Sequence, residues 1–125
     1  VISFAQTNQN VIFQNDFESG VGNWTPQDAT KCGIVAETQA NHVYKISAGK
    51  TASMISVAGD TNMVDYCFDA KMKFTEKLSS FSGGFIFRYV DDLNFAMIKF
   101  NGTSAELCKW DNGTYSRIGN ATSFN

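Results

Sequence analysis

The sequence predicts an all-β fold, a two-sheet antiparallel sandwich or a barrel, on three observations. No segment of useful length carries apolar residues at helical spacing. Apolar and polar residues instead alternate with period two along one segment after another. Turn sequences interrupt these segments at close intervals: Glu18-Ser-Gly, Ala48-Gly-Lys, Ala58-Gly-Asp, Asn101-Gly-Thr and Asp111-Asn-Gly. The 125 residues, 43% hydrophobic and rich in Phe, suffice for one domain with a real core.

Taken in order, residues 1–9 read as a signal-peptide remnant or N-terminal extension, because "VISFA" resembles the tail of an apolar signal segment with a small-residue cleavage site before Gln6. A first β-strand is the alternative, and the run is too short to span a membrane. Strands are expected over 10–17, 33–38, 42–47 and 52–57. The longest alternation is "MVDYCFDAKMKF", 63–74. It puts Val64, Tyr66, Phe68, Ala70, Met72 and Phe74 on one face and mostly charged residues on the other, as a strand with one wet face does. Residues 78–83 read as a loop, and strands follow over 83–90, 94–101, 105–111 and 114–119.

In 83–90, Phe85, Phe87 and Tyr89 share one face and Gly84, Ile86 and Arg88 the other; in 94–101, Phe95, Met97 and Lys99 share one face and Ala96, Ile98 and Phe100 the other. Apolar residues on both faces place these strands centrally. Arg88 and Lys99 then point into the concave face of a curved sheet, or snorkel to solvent.

Charge and residue type exclude several functions. The net charge is −2 and the ten basic residues are scattered, so nucleic acid is not an expected partner. A single histidine, His42, and no Cys-x-x-Cys pair argue against zinc and against histidine catalysis. Cys32, Cys67 and Cys108 allow one disulfide with a thiol left over, or three free thiols. Four glycosylation sequons occur, at Asn23, Asn101, Asn112 and Asn120, where roughly two would arise by chance. Pro26 hinders the first, leaving Asn101, Asn112 and Asn120 as acceptors in a secreted or cell-surface protein.

The stretch "GGFIFRYVDDLNFAMIKFNG…AELCKWDNGTYSRI", with the opening "VIFQNDFESGVGNWT", resembles a concanavalin A-like jelly roll of the laminin-G-like kind, as found in carbohydrate-binding modules and extracellular adhesion proteins. The matching motifs run from Gly84 to Tyr89, Asp92 to Phe95, Glu106 to Lys109 and Asn112 to Tyr115. The resemblance covers roughly residues 10–119 and implies that 10–125 is a laminin-G-like β-sandwich domain. Family members usually continue with a further strand and a hairpin that complete the sandwich, whereas this chain stops at "ATSFN", so the domain is expected to be incomplete and part of a longer chain, with a partner chain or missing segment covering the open edge.

Catalytic relatives of that fold use two carboxylates on one strand face to flank a glycosidic bond. The glutamates here are not paired that way, and Asp65 and Asp69 would lie about 13 Å apart along a strand. No Gly-x-Ser-x-Gly elbow is present, so no enzyme is expected. Asp16 and Glu18 in "NDFES" offer hard oxygen ligands for a structural calcium, as the family resemblance also implies. Sugar binding needs an aromatic platform with polar groups for hydroxyls. Trp110, with Tyr115 on the returning strand, is the candidate platform, and Arg88, Asp91, Asp92 and Asn94 are the candidate polar groups. Trp110 as a core residue is the competing reading, and Trp24 reads as a core plug. The expected function is a secreted, non-catalytic binding domain for a glycan or polysaccharide. Alternatives are a structural or adhesion domain binding an extracellular protein, and an accessory domain of a glycoside-processing enzyme. No membrane insertion is expected.

Overall fold

The structure, a computed structural model, describes residues 13–49, 53–58, 66–76 and 82–123. Among them are nine strands and no helix, and every strand pairing is antiparallel. The chain is therefore all-β, and its antiparallel sheets are compatible with a β-sandwich. It divides into two compact units, residues 1–59 and 60–125.

In the first unit β1 (Thr25–Pro26) pairs with β4 (Ser56–Val57), and β2 (Cys32–Thr38) forms a hairpin with β3 (Asn41–Ile46). The hairpin sets Ile34 opposite Tyr44 and Val35 opposite Val43, the β-branched and aromatic pairs that favour a pleated sheet. Trp24, half-buried, is the centre of this unit's aromatic cluster. Its ring lies 6.2 Å from Phe13, 6.0 Å from Phe17 and 5.5 Å from Tyr44. The Tyr44 hydroxyl meets Ser56 Oγ at 2.9 Å, linking β3 to β4.

The strand expected over 10–17 is corrected for its described part. Residues 13–17 form a wound loop, in which Asn15 Oδ1 accepts the Phe17 N–H at 2.7 Å and Asn15 Nδ2 donates to the Val21 carbonyl at 2.9 Å. A short polar side chain has captured the backbone groups that a ladder would have used. Residues 10–12 lie outside the described part. The strand expected over 52–57 shrinks to β4.

The second unit is built on a five-stranded sheet. β5 (Gly83–Asp91), β6 (Asn94–Asn101), β7 (Ser104–Asp111) and β8 (Thr114–Arg117) follow one another as hairpins. β9 (Thr122–Ser123) returns to pair with the start of β7. The β7–β8 turn has Asn112 at φ 49° and Gly113 at φ 77°, the paired left-handed residues of a type I′ hairpin. At Gly84 a side chain would strike the Ile98 carbonyl of the neighbouring strand, so only glycine permits that backbone approach. Direct register aligns Phe85, Ile98 and Leu107 on one sheet face; on the other it aligns Phe95 with Trp110 and Tyr115, Met97 with Cys108 and Arg117, and Lys99 with Glu106.

Two expectations change here. Residues 66–74, the described part of the long alternating segment, join no ladder. Phe68 rests 5.1 Å from Phe85, and the Phe74 ring covers Gly83 with its centre 6.4 Å from Phe100. The alternation thus marks an apolar side correctly, but that side lies against a sheet face, where no edge offers hydrogen bonds. Second, β5 breaks register between Phe87 and Asp91, and Arg88 takes φ 50°. This bulge reverses the alternation after it, so Tyr89 leaves the face of Phe85 and Phe87 and comes to 6.5 Å from Phe95.

Candidate functional site

The face carrying Phe95 and Glu106 concentrates the unit's chemistry. β7 stays regular, so Glu106, Cys108 and Trp110 point the same way. Cys108 has no exposed surface and Phe95 is 9% exposed; they form the floor. Phe95 and Trp110 stack with ring centres 4.6 Å apart and planes 20° from parallel, and Tyr115 meets Trp110 edge-on at 5.2 Å. With Tyr89 they make an aromatic row across four adjacent strands.

Beside this row sits a charge cluster. Glu106 is 7% exposed, yet three donors converge on it from the flanking strands. Lys99 Nζ lies 2.5 Å from Oε1, the Tyr115 hydroxyl donates to Oε1 at 2.8 Å, and Arg117 Nε lies 2.7 Å from Oε2. The Lys99 bond first, and the Tyr115 bond next, hold the Glu106 carboxyl down at about 2. The same bond with Glu106 pushes Lys99 above its ordinary value. Lys99 also lies 4.8 Å from the centre of the Tyr115 ring, a cation–π contact. At neutral pH Glu106 carries no proton to donate, so it acts as an acceptor that fixes Lys99, Tyr115 and Arg117 in place. Burial raises the Cys108 thiol, which suits a packing residue rather than a nucleophile.

The expected ligand-binding residues fall in three places. Trp110 and Tyr115 belong to the aromatic row. Asp91, Asp92 and Asn94 build the β5–β6 turn. Asn94 Nδ2 donates to Asp91 Oδ1 at 2.9 Å, Asp91 Oδ1 also accepts the Leu93 N–H at 2.8 Å, and Asp92 accepts the Tyr89 hydroxyl at 2.7 Å. Asn94 Oδ1 further accepts the Asn112 N–H at 3.0 Å, tying that turn to the β7–β8 turn. The Asn94 bond lowers Asp91, and the Asp92 bond raises Tyr89. Arg88 is exposed at the bulge, in a backbone region uncommon for a non-glycine residue, and forms no ion pair among the described residues. Read strand by strand, the sequence does not bring Glu106, Lys99 and Arg117 together as a cluster.

Asp16 and Glu18 lie in the first unit's wound loop. Glu18 is committed to His42, accepting its N–H at 2.7 Å through Oε1 and meeting Nδ1 at 2.7 Å through Oε2. The N–H bond is the main cause of its lowered pKa. Asp16 Oδ1 accepts the Glu18 N–H at 3.0 Å and lines an open hollow of about 330 Å³ with Gln14, Asn15 and Ser19. The loop therefore offers calcium one uncommitted carboxylate oxygen, on Asp16, rather than a free pair of carboxylates. No group of three or more His, Cys, Asp or Glu is placed to hold a metal among the described residues. Cys32, Cys67 and Cys108 are free thiols. Asn101, Asn112 and Asn120 are all exposed, the first two at hairpin turns and the third between β8 and β9. No helix among the described residues is long and apolar enough to cross a membrane.

No protein-family model matches the chain, and no curated protein or solved structure matches it.

Proposed function

We propose that the chain is a secreted, non-catalytic carbohydrate-binding domain of the concanavalin A-like, laminin-G-like kind. One observation carries the reading: a row of aromatic rings, Tyr89, Phe95, Trp110 and Tyr115, shares a sheet face with the fixed polar groups of Lys99, Glu106 and Arg117. Sugars present apolar faces edged by hydroxyls, and such a surface offers both partners. Tyr115 is 42% exposed and Arg117 52%, so both are within reach of a ligand. The laminin-G-like resemblance supports the same reading.

The test is a glycan and polysaccharide array, run with calcium and with chelator. Trp110→Ala is expected to weaken binding about tenfold or more, the scale of a lost stacking partner. Arg117→Ala, which removes an exposed cation from the same face, is expected to weaken it as well. Thermal melting of each variant separates lost binding from lost fold. A folded protein that binds no glycan refutes the proposal.

The runner-up is a structural or adhesion domain. It draws on the opposite sheet face, where Phe68 (54% exposed), Ile98 (42%) and Leu107 (37%) leave apolar surface open. Light scattering separates the two, since a glycan module stays monomeric and an assembly domain associates.

A further inference from the structure

Residues 101–103 and 112–114 are the same tripeptide, Asn-Gly-Thr, and each closes a hairpin turn at one end of β7. Both asparagines are exposed. In an Asn-Gly sequence the glycine amide nitrogen can attack the asparagine Cγ, because glycine has no side chain to obstruct it. The N–Cγ bond forms, the side-chain nitrogen leaves as ammonia, and a succinimide ring remains. Water opens the ring at either carbonyl, giving aspartate or isoaspartate. The net change consumes one water and releases one ammonia, with no oxidant or reductant. The attacking nitrogen must first lose its proton. Hydrogen bonds at that N–H, and at the carbonyl conjugated with it, therefore set the rate.

The two turns are wired in opposite ways. Gly113 N–H donates to the Leu93 carbonyl at 2.9 Å, which stabilises the protonated amide and anchors the nitrogen. Its neighbour Asn112 is fixed as well, with N–H donating to Asn94 Oδ1 at 3.0 Å and φ at 49°. Gly102 N–H donates to no acceptor among the described residues. Its conjugated carbonyl, Asn101 O, accepts the Ser104 hydroxyl at 3.1 Å, which draws electron density from the amide and acidifies the N–H. We infer that Asn101 is a self-modification site, converting to aspartate and isoaspartate in the folded protein, while the fold protects Asn112 in the same tripeptide. Conversion removes the Asn101 sequon, so a glycan on that nitrogen and deamidation exclude each other. Isoaspartate also adds a backbone atom to the turn that sets the Lys99–Glu106 register.

The test uses the full chain made without glycosylation and held folded in mildly alkaline buffer. Peptide mapping by mass spectrometry, with isoaspartate resolved, follows both sites in time. Asn101 is expected to convert about ten times faster than Asn112, a ratio equivalent to about 1.4 kcal/mol of barrier. In strong denaturant the two rates are expected to converge. Ser104→Ala is expected to slow Asn101 about threefold without changing Asn112. Equal rates in the folded protein, or faster conversion at Asn112, overturn the inference. So does a ratio that survives denaturation, because the fold would not be its cause. An unchanged Asn101 rate in Ser104→Ala overturns the role of the hydroxyl bond.

Discussion

Replacing Glu106 with glutamine removes the charge on which Lys99 and Arg117 converge while keeping the side chain's shape. A carboxyl held at about 2 in place of 4.5 corresponds to at most about 3–4 kcal/mol of folding free energy. Arg117 is 52% exposed and its share is screened by water, so about 2 kcal/mol is the expected loss at neutral pH. The pH dependence has a fixed direction. Because the folded-state pKa is depressed, the stabilisation is fully present above the unfolded value near 4.5 and disappears as pH falls through about 2. Urea unfolding followed by tryptophan fluorescence, at steps of pH from neutral to strongly acid, reads both quantities. The wild type should fall toward the Glu106→Gln variant across that window and meet it at the acid end. Glu18, Asp28 and Asp91 also have lowered pKa values, but they are present in both proteins and cancel in the difference. Parallel stability curves through the window, or a variant as stable as wild type at neutral pH, would refute the clamp.

Gly84→Ala should destabilise the sheet by about 2–3 kcal/mol, because the new methyl group meets the Ile98 carbonyl, a backbone atom that cannot rotate away; a denaturation midpoint measures it. Asn94→Ala should cost about 1–2 kcal/mol by removing a donor to Asp91 and the acceptor for Asn112 N–H, and amide hydrogen exchange at Asn112 should speed up while exchange in the middle of β7 does not. Cys108→Ser should cost about 1–3 kcal/mol by placing a stronger polar group at a position without exposed surface, whereas Cys67→Ser, at an exposed position, should be nearly neutral; thermal melts of the two decide it.

Much of the second unit was legible in the sequence because its turns are short. Asn-Gly-Thr and Asp-Asn-Gly mark hairpin turns, and β6 spans the same residues, 94–101, that the alternation predicts. The long segment before it misled for a definite reason. Alternation reports which side of an extended chain is apolar, and hydrogen-bond partners are decided by what lies beside it. Residues 66–74 satisfy the first condition by laying Phe68 and Phe74 on the sheet, and find no partner edge. In the first unit, Asn15 competes for backbone groups within 13–21, a local effect that a strand pattern over 10–17 does not register.

The charge cluster was within reach of the sequence by a further step. Once the turn after Asn101 contains two residues, counting back from it pairs Lys99 with Glu106; counting back from Asp111 and Thr114 pairs Cys108 with Arg117. Both cations and the carboxylate then fall on one face, with the small Cys108 between them. Scoring each strand separately hides this, because Glu106 alone looks like a lone polar residue in an otherwise apolar alternation. The bulge at Arg88 lay beyond that reasoning. A left-handed φ at an arginine has no sequence signal, yet it moves Tyr89 across the sheet to join Phe95. The aromatic row therefore depends on two different things: turn lengths that arithmetic recovers, and one backbone irregularity that only the packed sheet imposes. The turn lengths fix which residues can share the face with Glu106, and the bulge adds the outermost ring, so loss of the bulge should shorten the row without disturbing the clamp beside it.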